Sequence, residues 1–173
     1  TTLHGVLGEL NTTEKKIWTA EDPVEITQEG LHQVQVMPKI GFDFAAALRS
    51  FLRADPDVIL IGEIRDTETA ENAVEASLTG HMVLSTLHTN SAPETITRLL
   101  DLDLDPMNFA DSLLGVVAQR LVRTLCGNCK EPYTPDSEEW AHLAHAYGEE
   151  AFAELGHQRE ETRLYRPVGC DKC

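Results

Sequence analysis

Three short polar clusters hold the residue types that metal and phosphate chemistry uses. They are Glu21-Asp22-Pro23-Val24-Glu25, Glu63-Ile64-Arg65-Asp66 and Thr86-Leu87-His88-Thr89-Asn90. A carboxylate at a strand end can hold Mg²⁺ through water. A second carboxylate can orient an attacking water, and a His or Arg can face a terminal phosphate. Each cluster alone also reads as caps and solvated loops; Asp66, for instance, stands where it would cap a helix opening at Thr67. Three such clusters meeting at one edge favour a site over three unrelated caps.

All four cysteines fall in two pairs, Cys126-x-x-Cys129 and Cys170-x-x-Cys173, separated by a 40-residue insert. Thiolates three residues apart on a tight turn can take two corners of a tetrahedron, and two such turns complete a zinc site. Gly127 and Gly169 ease the turns. Two disulfides, a thioredoxin-like redox pair and an Fe–S cluster are the competing readings. Disulfides lack a secretion leader in their support, and a single redox pair leaves the other pair unexplained. His142, His145 and His157 in the insert read as surface residues beside four available thiolates.

The elements that must position these groups are legible. Val58-Ile59-Leu60-Ile61 and Met82-Val83-Leu84 are continuous apolar runs, as in strands covered on both faces. Between them Thr67 to Leu78 has helical spacing, giving a right-handed βαβ unit. A further strand is expected over Lys16 to Thr19, ahead of the charged turn Glu21-Asp22-Pro23. Leu31 to Val36 reads as half of a small hairpin. Asp43 opens a helix carrying Phe44, Ala47, Leu48, Phe51 and Leu52, which Asp55-Pro56 stops. Ser91-x-x-Glu94 is a capping box, and Asp105-Pro106 an N-cap with Pro at the first helical position. The helix after Pro106 is expected to run on through Ala110, Leu113, Leu114, Val117 and Leu121 as one stripe. In open parallel sheets ligands bind beyond the carboxyl ends of the strands, which is where the three clusters fall.

Composition sets the limits. The chain has 173 residues, 42% of them hydrophobic, enough for a real core and against a disordered chain. No run is long enough for a membrane span, so no direct membrane insertion is expected. A net charge of −15 argues against general nucleic-acid binding and against docking on anionic lipid. Composition shifts after Leu125: from Glu131 to Glu161 there are nine acidic residues and one basic one. We therefore expect a core domain over residues 1–125 and a metal-binding module over 126–173. The insert is expected to be helical, with Asp136 as cap and Trp140, Leu143, Ala144 and Tyr147 on its apolar face. Its charge suits a solvated surface, or alternatively contact with a basic partner. With Thr1 at its start and Cys173 at its end, the chain is expected to be a piece of a longer protein.

These motifs resemble those of the secretion ATPases. Glu21 to Glu25 looks like their acidic box, Leu48 to Asp57 leading into Ile61-Gly62-Glu63-Ile64-Arg65-Asp66 like their Walker B region, and Thr79 to Asn90 like their histidine box. Gln119-Arg120-Leu121-Val122-Arg123 followed by the two Cys pairs is similar to the type II secretion and type IV pilus assembly branch. The resemblance implies an α/β fold: a RecA-like P-loop NTPase core with a parallel sheet, plus a small tetracysteine zinc module with a helical insert. It implies ATP, Mg²⁺ and Zn²⁺ as cofactors, and a cytoplasmic homo-hexamer peripheral to the inner membrane through platform proteins. It implies ATP hydrolysis that drives pilin or pseudopilin assembly.

The resemblance carries roles to individual positions. Glu21 matches the acidic-box carboxylate that positions water, with Glu25 as the second choice. Glu63 matches the Walker B glutamate, for Mg²⁺ or as base, and His88 the histidine that senses phosphate. His81 is as well suited to a structural role. Arg65 is placed with the nucleotide, although it, Arg49 and Arg53 can equally pair with carboxylates. Thr1 and Thr2 belong on the first turn after the P-loop. The phosphate cradle of Gly-x-x-x-x-Gly-Lys-Ser/Thr is expected just upstream of Thr1, so residues 1–173 alone are expected to be inactive. A zinc-stabilised ring scaffold without enzymatic activity is the alternative. A DNA motor of similar fold is disfavoured by the charge and the cysteines.

Overall fold

The computed structural model describes residues 2–173; Thr1 lies outside the described residues. The chain forms two compact units, the first through Gln119 and the second from Arg120 to Cys173, a few residues ahead of the Leu125 shift in composition.

The first unit is built on an all-parallel sheet of β1 (Ile17–Glu21), β2 (His32–Gln35), β3 (Val58–Ile61) and β4 (Met82–Ser85), in the order β2-β1-β3-β4. Its helices are α1 (Thr2–Leu10), α2 (Phe44–Leu52), α3 (Thr67–Leu78), α4 (Ala92–Leu100) and α5 (Pro106–Ser112). Strand β3 shows why its run is continuously apolar. The pleat sends Ile59 and Ile61 against Phe44, Leu48 and Phe51 of α2 and Ala73 and Ala76 of α3. It sends Val58 and Leu60 the other way, against Leu7 of α1 and Ile17 of β1. A third cluster joins Ala70 of α3 to Leu99, Leu102, Leu104 and Phe109.

The caps form largely where the sequence puts them. Asp43 accepts from Ala46 N at 2.8 Å, and Asp105 from Met107 N and Asn108 N at 3.0 Å each. Ser91 accepts from Glu94 N at 3.4 Å, while the Glu94 carboxylate reaches back to Asn90 N at 2.9 Å, one residue beyond the cap.

Three expectations are corrected. Leu31 to Val36 is not half of a hairpin: β2 runs parallel to β1, pairing Trp18 with His32 and Thr19 with Gln33. The connection from Asp22 to Leu31 is too long for a tight hairpin turn and carries the chain over to lie alongside. The helix after Pro106 stops at Ser112, with Leu113 extended at ψ 112°. Gly115 and the β-branched pair Val116-Val117 disfavour its continuation. Leu114, Val117 and Leu121 are exposed, and Phe109 is the residue that α5 buries. Finally, β1 reaches Glu21, so the first acid of its cluster ends a buried strand instead of entering the turn.

In the second unit β5 (Glu131–Tyr133) pairs antiparallel with β6 (Leu164–Arg166), bracketing the insert. The insert holds two helices, α6 (Ser137–Tyr147) and α7 (Glu149–Glu154), where one was expected. Gly148, at φ 98°, makes the break between them, a conformation that side chains rarely adopt. Asp136 caps α6 through Glu139 N at 2.8 Å, and Trp140 packs edge-on to Phe152 with centroids 5.0 Å apart. No helix among the described residues is long and apolar enough to cross a membrane.

Candidate functional site

From β1 the chain goes to β2 on one side, and then to β3 on the other. Such a reversal opens a crevice at the carboxyl ends of the strands. A cavity of about 450 Å³ lies there, lined among others by Thr2, Glu21, Glu25, Gly62, Glu63 and His88. That is a usual size for a small-molecule site. The three polar clusters therefore do converge, each from the end of its own strand.

The floor is set by close packing at Gly62. Its N–H donates to Ala20 O at 2.8 Å. A Cβ at this position would stand 3.2 Å from Ala20 O and 3.4 Å from the Phe44 ring. The exits of β3 and β4 are tied together: Thr86 Oγ1 donates to Gly62 O at 2.7 Å, and Ile64 N to Thr86 O at 3.0 Å.

Glu63 is buried at the edge of this floor. The Arg65 guanidinium grips both of its oxygens, Nε on Oε2 and a terminal nitrogen on Oε1. His88 Nε2 approaches Oε2 at 3.2 Å from a largely solvated ring. Arg65 thus pairs with a carboxylate. Asp66 is outside the cavity lining and caps α3, accepting from Thr69 N at 2.8 Å and Thr69 Oγ1 at 3.0 Å.

The acidic cluster splits by environment. Glu21 is buried, its carboxylate held by Thr19, Gln33 and His4. Glu25 lines the cavity exposed, and no hydrogen bond or ion pair among the described residues engages it. Thr2 Oγ1 donates to Gln119 Oε1 at 2.6 Å, at the cavity wall. His81 lies at the other end of β4, with Nδ1 3.0 Å from Ala76 O, and closes the turn from α3. Arg49 pairs with Glu68 and Arg53 is exposed; neither lines the cavity.

Sequence reasoning missed His4, Gln28, Gln33 and Gln119. For His4 a signal existed: it lies three residues before Leu7 on α1, hence on the same helix face that covers the sheet.

In the second unit the four thiols converge. Cys126 and Cys170 sulfurs are 4.0 Å apart, Cys129 and Cys173 3.6 Å, and Cys170 and Cys173 3.8 Å. All four lie within 4.8 Å of one another. Zn–S bonds of about 2.3 Å make a tetrahedron with edges of about 3.8 Å, so the donor set fits zinc. The turns are tight, with Lys130 N donating to Cys126 O at 3.0 Å and Cys173 N to Cys170 O at 3.2 Å. A backbone hydrogen bond from Asn128 lowers the Cys126 thiol to about 7, and one from Lys172 lowers Cys170. Burial raises Cys129 to about 11.

Comparison with known proteins places these features. The family described as "Type II/IV secretion system protein" matches residues 1–173. Type II secretion system protein E of Dickeya dadantii is 51% identical over 173 residues, covering 100% of this chain and 32% of that protein. The type IV pilus assembly ATPase PilB of Pseudomonas aeruginosa is 53% identical over 173 residues, covering 99% of the chain and 29% of PilB. The chain thus spans about a third of the length of these relatives. Among solved structures, the pilus retraction motor PilT with bound ADP superposes with a TM-score of 0.65 at 37% identity, over 73% of this chain and 40% of that one. The α/β fold with its parallel sheet is therefore shared with a known motor. The chain belongs to the type II/IV secretion system protein family.

Proposed function

We propose that this chain is part of a hexameric ATPase whose ATP hydrolysis powers pilin or pseudopilin assembly, in type II secretion or type IV pilus biogenesis. The observation that carries the reading is the pair Glu25 and Glu63 on one cavity at the reversal of strand order. The relatives named for secretion and pilus assembly support it. On this reading the motor is cytoplasmic and sits at the inner membrane through platform proteins.

The residues lining the cavity fit a magnesium–nucleotide complex. Glu63 is the carboxylate to hold Mg²⁺, which when bound neutralises phosphate charge. Thr2, on the first turn of α1, faces the nucleotide, with Thr1 expected beside it. His88 stands free enough to turn toward a terminal phosphate. Glu25 orients the attacking water, because its oxygens are open whereas those of Glu21 are taken. This shifts the water-positioning role from Glu21 to its neighbour. In the second unit Cys126, Cys129, Cys170 and Cys173 hold Zn²⁺ and pin the two ends of the insert together.

The test is steady-state ATPase kinetics on the full-length protein with Glu25→Gln and Glu63→Gln. Loss of a positioned base predicts a kcat lower by about 10²–10⁴ for Glu25→Gln, with ATP-analogue binding retained. Wild-type turnover that neither substitution lowers would overturn the assignment. Native mass measurement checks the hexamer.

A further inference from the structure

The acidic cluster holds a second carboxylate whose role the water-positioning assignment leaves open. Glu21 is 6% exposed and both of its oxygens are engaged. Oε1 accepts from Thr19 Oγ1 at 2.6 Å and from Gln33 Nε2 at 3.0 Å; Oε2 faces His4 Nε2 at 3.1 Å. The pleat explains the set. Ile17, Thr19 and Glu21 alternate onto the α1 face of β1, and the parallel register puts Gln33 beside Thr19. On α1, Leu7 covers Ile17, and His4, one turn earlier, arrives over Glu21.

The far side of the His4 ring is also fixed. Nδ1 lies 3.0 Å from Gln28 Oε1, while Gln28 Nε2 donates back to His4 O at 3.2 Å. The amide therefore presents its oxygen to the ring, and Nδ1 carries a hydrogen. The ring is thus held on both sides, by Gln28 at Nδ1 and by the Glu21 carboxylate at Nε2. Gln33 completes the frame, its Oε1 accepting from Gln28 N at 2.7 Å and its Nε2 also reaching Ile26 O at 2.8 Å. Each residue thus anchors a different segment: His4 the first turns of α1, Gln28 and Gln33 the loop after Glu25 and strand β2.

We infer that Glu21 is a positioning residue, with His4 as its hydrogen-bond partner, and that together they hold the Asp22–Glu25 loop against α1 so that the Glu25 carboxylate is fixed at the cavity. A carboxyl group buried this way depends on its hydrogen-bond partners, and removing one leaves a buried polar group unsatisfied. Both of its oxygens are already engaged, whereas those of Glu25 are not. The inference rests on the ATPase reading for its catalytic consequence, though not for the contact itself.

One double-mutant cycle on the full-length protein, read in two ways, tests it, with Glu21→Gln, His4→Phe and both together. Thermal unfolding reads the contact without any turnover: the double variant should lose no more Tm than the worse single variant, as for coupled residues. Additive Tm losses would show that the pair is not coupled and would overturn the inference. ATPase kinetics reads the positioning. Each single variant should lower kcat by on the order of tenfold with KM for ATP little changed, far less than Glu25→Gln, whose loss follows general-base magnitudes of about 10²–10⁴. His4→Gln, which keeps an N–H donor, should recover part of the kcat. Glu21→Gln as damaging as Glu25→Gln, beside a silent His4→Phe, would make Glu21 the base and overturn the proposal. Coupled Tm values in a full-length protein with no ATPase activity at all would instead refute the ATPase reading and leave the His4–Glu21 contact standing.

Discussion

His88 Nε2 stands 3.2 Å from Glu63 Oε2, but the two side chains live in different worlds: the carboxylate is 11% exposed and the imidazole 82%. Glu63 is fixed from below by Arg65 and by the packing of β3. His88 is carried on the segment after β4, and among the described residues this contact is what holds its ring at Glu63. The pair joins a buried carboxylate to a solvated imidazole, and on the proposed reading it is the imidazole that turns to phosphate.

That asymmetry separates two substitutions in the full-length protein. His88→Ala should lower kcat by about 10²–10³, the loss seen when a donor to developing charge is removed, while leaving Tm within about a degree because the ring is solvated. Arg65→Ala should lower Tm more than His88→Ala does, since it strips a buried carboxylate of its charged partner. Steady-state kinetics and calorimetry on the same samples decide it; a His88→Ala protein that loses Tm but not kcat would assign the ring a structural role.

Gly62 is a tight spot where β3 meets the cavity floor. Gly62→Ala places a methyl 3.2 Å from the Ala20 carbonyl oxygen and 3.4 Å from the Phe44 ring. The ring contact is an ordinary van der Waals distance, but the carbonyl belongs to backbone, so the adjoining strands must give by a few tenths of an ångström. Overpacking of this kind costs about 1–3 kcal/mol. Denaturant unfolding should show that loss, and Gly62→Val a larger one. Because Gly62 itself lines the cavity, KM for ATP should rise in Gly62→Ala. Unchanged stability would mean that the ring and strand have slack there.

The sheet and the site edge were legible because their signals are local. Four apolar residues in a row fixed β3, and the capping residues Asp43, Asp66, Ser91 and Asp105 marked helix starts through hydrogen bonds spanning two or three residues. What was illegible depends on partners far along the chain. Parallel pairing of β2 with β1 is a tertiary choice that the Leu31–Val36 alternation does not encode. The apolar spacing from Ala110 to Leu121 promised a stripe, yet Gly115 and Val116-Val117 oppose the helix and the stripe never forms. In the site, composition could not tell Glu21 from Glu25: the difference is that β1 runs on through Glu21 and carries it under His4, seventeen residues away.

Asp66 offers a control for the Glu63 cluster, since it adjoins the catalytic candidates in sequence but serves α3. Asp66→Ala removes the acceptors of Thr69 N and Thr69 Oγ1. Loss of an N-cap costs about 1 kcal/mol. Tm should fall accordingly, with kcat per folded molecule within about twofold of wild type. Asp66→Asn, which retains an acceptor, should recover most of the stability. A kcat loss comparable with that of Glu63→Gln would place Asp66 in the reaction instead.

The second unit has little to hold it besides its cysteines. Pro135 is the one fully enclosed residue among the described residues of that unit. Small units with so little core usually need a metal or disulfide staple. The sulfurs are spaced 3.6–4.0 Å along three edges, close to the edge length that zinc requires and far longer than an S–S bond of about 2.05 Å. Elemental analysis of the purified full-length protein should therefore find one zinc per chain, lost in Cys126→Ser. Chelation should release it and, because metal binding to such a site is coupled to folding, should make the Glu131–Arg166 segment susceptible to protease while the first unit stays resistant. Zinc content near zero in a protein whose second unit still resists protease would rule out a structural metal and return the four thiols to the redox readings.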